Sequence, residues 1–250
     1  MPQRDRPIVL GALAAATLLA WAWIVPMARD MYGSMNGSSA WMMTAEWDAR
    51  HLALLFAMWI VMMAGMMLPS AAPVMLLYAG AARHNEPAHA TTRVSAFAIG
   101  YLIVWAGFAV AAALLQRALT EALILTPMME PATKRSASIV LALAGLYQIT
   151  PFKRACLATC QSPAAFITRH WRAGAAGALR MGLIHGAHCL GCCWALMLLL
   201  FAGGVMHLPT IFLLTVLVLA EKLLPPGKAT EWFTWATGSA LLGLAVWMLL

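Results

Sequence analysis

Residues 181–197 read Met-Gly-Leu-Ile-His-Gly-Ala-His-Cys-Leu-Gly-Cys-Cys-Trp-Ala-Leu-Met. Five side chains able to bind metals, His185, His188, Cys189, Cys192 and Cys193, stand within nine positions of an otherwise apolar run. On a helix each residue turns about 100°, so His185, Cys189 and Cys192 fall within roughly 60° of one another, with His188 and Met181 flanking the stripe. Polar groups in a membrane helix are costly and face a protein interior. The stretch therefore predicts a membrane helix with one functional face.

The chain around it agrees. Of its 250 residues 63% are hydrophobic and 10% charged, and the mean hydropathy is +0.80. A span takes about 20 apolar residues, which leaves room for six or seven spans and no large soluble domain. The expectation is an all-α, polytopic transmembrane helix bundle forming one domain over residues 1–250. Its spans are expected at 7–27, 51–81, 94–115, 136–150, 179–205, 208–224 and 232–250. The run 136–150 is short for a full crossing. Pro69 and Pro73 are expected to kink the second span, and Trp41 and Trp47 fit an interfacial belt. Residues 152–180 read as a short cytoplasmic or re-entrant helix pair. The first run lacks a small-x-small cleavage pattern and reads as a span rather than a signal peptide. No internal repeat is found.

The formal net charge is +7. With the N-terminus in the cytoplasm, Arg4, Arg6, Arg83, Arg93, Lys153, Arg154, Arg169, Arg172, Arg180, Lys222 and Lys228 fall on the inner side. Arg29, Arg50, Arg117, Lys134 and Arg135 fall outside. That asymmetry predicts an N-in orientation, with the lipid bilayer and not nucleic acid as the partner of the positive charge.

The cysteines Cys156, Cys160, Cys189, Cys192 and Cys193 are odd in number and clustered, which suits ligands or redox thiols better than a disulfide scaffold. Counted from Arg180, His185 lies roughly 8 Å and Cys192 roughly 18 Å into the membrane. Cys156, Cys160 and Glu221 belong to the same inner face, where Lys222, Lys153 or Arg154 can offset thiolate charge. Cys156, Cys160, His185, His188, Cys189, Cys192, Cys193 and Glu221 are the candidate metal ligands. Thiolate, imidazole and carboxylate suit copper or zinc. Met58, Met62, Met63, Met66 and Met67 form interleaved i, i+4 pairs, a candidate thioether relay that favours Cu(I) over zinc. Met31, Met35, Met42, Met43, Met128, Met129, Met206 and His207 would be acceptors at the outer end. The bland readings stay open. Cysteine and methionine are ordinary apolar packers, Gly186 and Gly191 fit a close helix contact, and Glu221 with Lys222 fits an interfacial ion pair. Cys189-x-x-Cys192 also allows thiol–disulfide exchange. Haem is not expected, since no second mid-membrane histidine pairs with His185.

Residues 62–75, 145–163 and 182–197, together with Glu221-Lys222, resemble a bacterial family of predicted metal-binding integral membrane proteins of unknown function. The resemblance runs over roughly residues 50–225. It implies metal binding in a bacterial inner membrane and leaves the reaction open. The interleaved methionines are also similar to the M-x-x-x-M element of eukaryotic copper transporters. The sequence thus predicts a protein that handles Cu(I), by transport or by delivery to a membrane or exported cuproenzyme or a metallochaperone, with oligomers compatible. A membrane redox or thiol enzyme, a subunit of such a complex, and a structural subunit are the alternatives; the protein is read as more a carrier than an enzyme.

Overall fold

Asp48 opens the longest helix by accepting from the His51 backbone N–H at 2.7 Å, as an N-cap aspartate does. That helix, α2 (Ala49–Asn85), follows α1 (Asp5–Met31) in a computed structural model that describes residues 5–33, 48–126 and 128–250. Arg4, Met35, Trp41, Met42, Met43 and Trp47, named above, lie outside the described residues. Next come α3 (Ala90–Glu121), α4 (Lys134–Gln148), α5 (Pro151–Gln161), α6 (Pro163–His170), α7 (Gly174–Leu198), the short α8 (Leu200–Gly203), α9 (Leu208–Leu223) and α10 (Lys228–Trp247). The described residues form an all-helical fold, with the only paired extended backbone an isolated bridge between Leu125 and Pro131.

Among the described residues, four helical stretches are long and apolar enough to cross a membrane: Pro7–Met31, Ala49–Asn85, Pro87–Glu121 and Gly174–Gly203. The other three expected spans fall on helices below that measure. α4 has 15 residues and α9 has 16, short of the about 20 that a bilayer core takes. α10 has 20, but its first half carries Lys228, Thr230, Glu231 and Thr234. The helix pair expected within 152–180 is present as α5 and α6.

α2 runs through both of its prolines as one helix. Pro69 has no N–H to offer the carbonyl of Gly65, four residues earlier. Trp21 Nε1 of α1 donates to that carbonyl at 3.3 Å instead. A backbone group that water cannot reach is thereby satisfied by a neighbouring helix. α3 and α7 approach so closely that a Cβ on Gly182 would sit 2.0 Å from the Phe97 carbonyl oxygen, and one on Gly100 2.2 Å from that of Leu179. Small residues at such crossings let backbones meet where no hydrophobic gradient drives association. The contact expected from Gly186 and Gly191 is seen: Gly186 faces Val104, and Gly191 faces the Cys156 sulfur.

Two clamps fix the ends of the bundle. At one end Arg93 is fully buried, ion-paired with Glu86 at 2.8 Å, donating to the Arg172 carbonyl at 2.7 Å and lying over the Trp171 ring. At the other end the loop between α3 and α4 is stapled by Thr126 N–H to the Glu130 carbonyl and by Ala132 N–H to the Ile124 carbonyl, both at 2.8 Å. There the Tyr32 hydroxyl donates to Glu130 Oε1 at 3.0 Å. Burial, then that bond and the charge of Glu130, push the Tyr32 hydroxyl up to about 12.

Candidate metal centre

α7 places its stripe inward. Met181, His185, Cys189, Cys192 and Cys193 are all buried, because the glycines of the same helix hold it against α3. Around Cys189 four helices meet. Lys222 Nζ of α9 donates to Cys189 Sγ at 2.8 Å and to Ser70 Oγ of α2 at 2.9 Å. The Tyr101 hydroxyl of α3 lies 3.2 Å from the same sulfur and 3.1 Å from the Met67 carbonyl. Cys193 Sγ sits 4.0 Å from Met67 Sδ. Cys192 and Cys193 each return a bond to the Cys189 carbonyl at 3.0 Å. The result is a buried knot of three thiols, one thioether and one ammonium.

The remaining predicted residues divide. Cys160 on α5 is hydrogen-bonded with Cys192, and that bond, followed by burial, holds its thiol well above the ordinary range. Cys156 lies against Gly191 of α7, and burial raises its thiol as well. His185 is buried among Phe97, Tyr101 and Phe166, with Nδ1 unpartnered. His188 is only half-buried and its Nδ1 lies 2.8 Å from the Ile184 carbonyl of its own helix. Glu221 turns to a different partner from the thiols: Lys153 Nζ meets its two oxygens at 2.8 and 2.7 Å, and Gln148 Nε2 donates at 2.8 Å. Glu221 and Lys222 do not pair with each other: Glu221 is ion-paired with Lys153, and Lys222 donates to Cys189. Neighbours on a helix diverge by about 100°, and each reaches a different helix.

Met58, Met62, Met63, Met66 and Met67 are all fully buried. So are Met31 and Met206, with Met129 nearly so, whereas Met128 and His207 are half-buried. The sequence reading missed Tyr101, Ser70 and Gln148. Each is a buried hydrogen-bonding side chain in a largely apolar helix, a placement that signals a buried partner.

Among the described residues no group of three or more His, Cys, Asp or Glu side chains is arranged as a preformed metal cage. The donors present are soft. Sulfur from Cys189, Cys192, Cys193 and Met67 matches Cu(I), which takes few ligands, better than it matches a hard cation. The buried, unpartnered nitrogen of His185 fits the same use, since buried polar atoms are ordinarily satisfied.

A family model described as PpoB2, copper chaperone, matches residues 56–248. No curated protein and no solved structure matches the chain.

Proposed function

Because the chain belongs to the PpoB2 copper chaperone family, we propose that it is a membrane-embedded carrier that holds Cu(I) in the thiol knot of α7 and delivers it to a cuproenzyme. The supporting observation is the pairing of Lys222 Nζ with Cys189 Sγ at 2.8 Å, beside the sulfur pair of Cys193 and Met67. Cu(I) on two thiolates carries one net negative charge. A buried charge is tolerated when it is paired, and Lys222 supplies the opposite charge from within the same knot. The ligands are drawn from Cys189, Cys192, Cys193, Cys160, Cys156 and His185. Met67, Met66, Met63, Met62 and Met58 continue the soft donors along α2 toward the far end of the bundle. In this reading α4, α9 and α10 complete an inner-membrane bundle of six or seven spans with a cytoplasmic N-terminus.

Metal content of the detergent-purified chain tests this. Wild type and a Cys189→Ser, Cys192→Ser double variant are prepared from copper-supplemented and zinc-supplemented cells and measured by mass spectrometry. The reading expects near-stoichiometric copper in the wild type and its loss in the variant. Zinc alone would remove the role of the methionines. No metal in any sample would overturn the reading and turn attention to thiol exchange at Cys189-x-x-Cys192.

A further inference from the structure

The end of the bundle remote from the thiol knot carries a second cluster. Gly204 stands there with φ +90, a conformation that favours glycine. A Cβ on it would lie 2.9 Å from the Tyr32 hydroxyl, 3.3 Å from His207 Cβ and 3.5 Å from Glu130 Cγ. Three polar side chains from three separate segments therefore converge on one glycine. Gly204 is fifteen residues from Cys189 along the chain, and His207 fifteen from Lys222 along α9. At 1.5 Å per helical residue the two clusters are about 20 Å apart.

The hydrogen bonds define which atoms are left to act. Thr210 Oγ1 donates to the Gly203 carbonyl at 3.5 Å and lies 2.8 Å from His207 Nδ1. In the tautomer with its proton on Nδ1, His207 donates to Thr210 Oγ1 and Nε2 keeps its lone pair for a metal. Histidines that bind metals are oriented in this way, with the other ring nitrogen donating to an oxygen. The Tyr32 hydroxyl donates to Glu130 Oε1 at 3.0 Å and leaves Oε2 open. The Tyr32 ring also sits edge-on to the His207 ring, centroids 6.1 Å apart. Glu130 is held by its stapled loop, which is tied to the Gly204 turn by the Val205 N–H bond to the Met129 carbonyl at 3.2 Å.

We propose that His207 Nε2 and Glu130 Oε2 form a second metal site, one that takes a divalent transition-metal ion and Cu(II) foremost. Imidazole and carboxylate suit Cu(II), whereas the sulfur knot suits Cu(I). Tyr32 and Thr210 are positioning residues that aim the carboxylate and the ring. Water fills the other coordination positions, and no electron transfer is required, since binding is ligand exchange alone. The site stands independently of the thiol knot.

The test uses the full chain without a histidine tag, in detergent, carrying Cys189→Ser and Cys192→Ser so that the knot is removed. Aqueous Cu(II) is titrated and followed by electron paramagnetic resonance. One Cu(II) per chain with nitrogen hyperfine coupling is expected. His207→Gln and Glu130→Gln should each weaken it at least about tenfold, and Thr210→Val should weaken it and alter the nitrogen coupling, by the factors that such supporting groups command. The two glutamine variants lie on different segments, so a folding failure in one leaves the other to decide. A signal unchanged in both, marking other histidines as the source, overturns the proposal, as does the absence of a bound signal. Failure here leaves copper loss on removal of the two cysteines untouched, so the two readings are judged separately.

Discussion

Lys153 and Glu221 form a pair whose removal is predicted to be costly singly and cheap together. Their side chains are 0% and 1% exposed and meet at 2.7 Å. With an effective dielectric constant of about 20, the attraction at that distance is about 6 kcal/mol. Most of it is offset by the loss of hydration. Truncating one partner strands the other charge with only the neutral amide of Gln148, which costs about 3–5 kcal/mol. Lys153→Met and Glu221→Met should each lose that much. The double variant should recover most of it, because two apolar chains of similar volume bring no buried charge. The assay is denaturant unfolding of the purified chain in mixed micelles, run as a double-mutant cycle, with a coupling of at least about 3 kcal/mol expected. Single losses below about 1 kcal/mol that simply add would refute the reasoning. Copper content supplies a second readout: if Glu221 acts only through Lys153, the double variant retains copper, and its loss in a protein of restored stability returns Glu221 to the donors.

Met67→Leu keeps volume, so unfolding should shift by less than about 1.5 kcal/mol, while copper content falls because the thioether 4.0 Å from Cys193 is gone. Met62→Leu with Met66→Leu should lower copper passed to an acceptor without lowering copper held, as read by metal transfer to a chelator across a reconstituted membrane; unchanged transfer ends the relay idea. Trp21→Phe removes the side-chain donor that meets the Gly65 carbonyl and should destabilise by about 1–3 kcal/mol, measured as a lowered denaturation midpoint.

What could be read from the sequence was whatever depends on a single helix. The stripe of Met181, His185, Cys189 and Cys192 follows from a 100° turn, and the α5–α6 pair follows from Pro151, Ser162 and Pro163. The long apolar runs give the four membrane-length helices, while the three shorter runs carry too few apolar residues to count by length and composition. What could not be read was which side chain turns toward which helix. Glu221 and Lys222 are adjacent and opposite in charge, and the sequence leaves open both an interfacial ion pair and roles at the thiols. The fold separates them because α5 delivers Lys153 to one and α7 delivers Cys189 to the other. Lys153 and Arg93, counted as basic residues of the inner side, are both buried, each held by a carboxylate from another element. Nothing local marks them as different from Arg154 or Arg83.

The two clusters differ in a way that bears on delivery. Under the proposed function, a sulfur knot with its own ammonium would hold Cu(I) in a water-poor interior, where exchange with solvent ligands is slow. The His207–Glu130 pair is half-exposed and offers nitrogen and oxygen, ligands of lower affinity for Cu(I). The buried thioethers of α2 are neutral, so on the proposed relay each step would exchange one weak soft donor for another and leave the charge of the protein unchanged. A chain with acidic ligands in that interval would have to bury a carboxylate at every step, at several kcal/mol each.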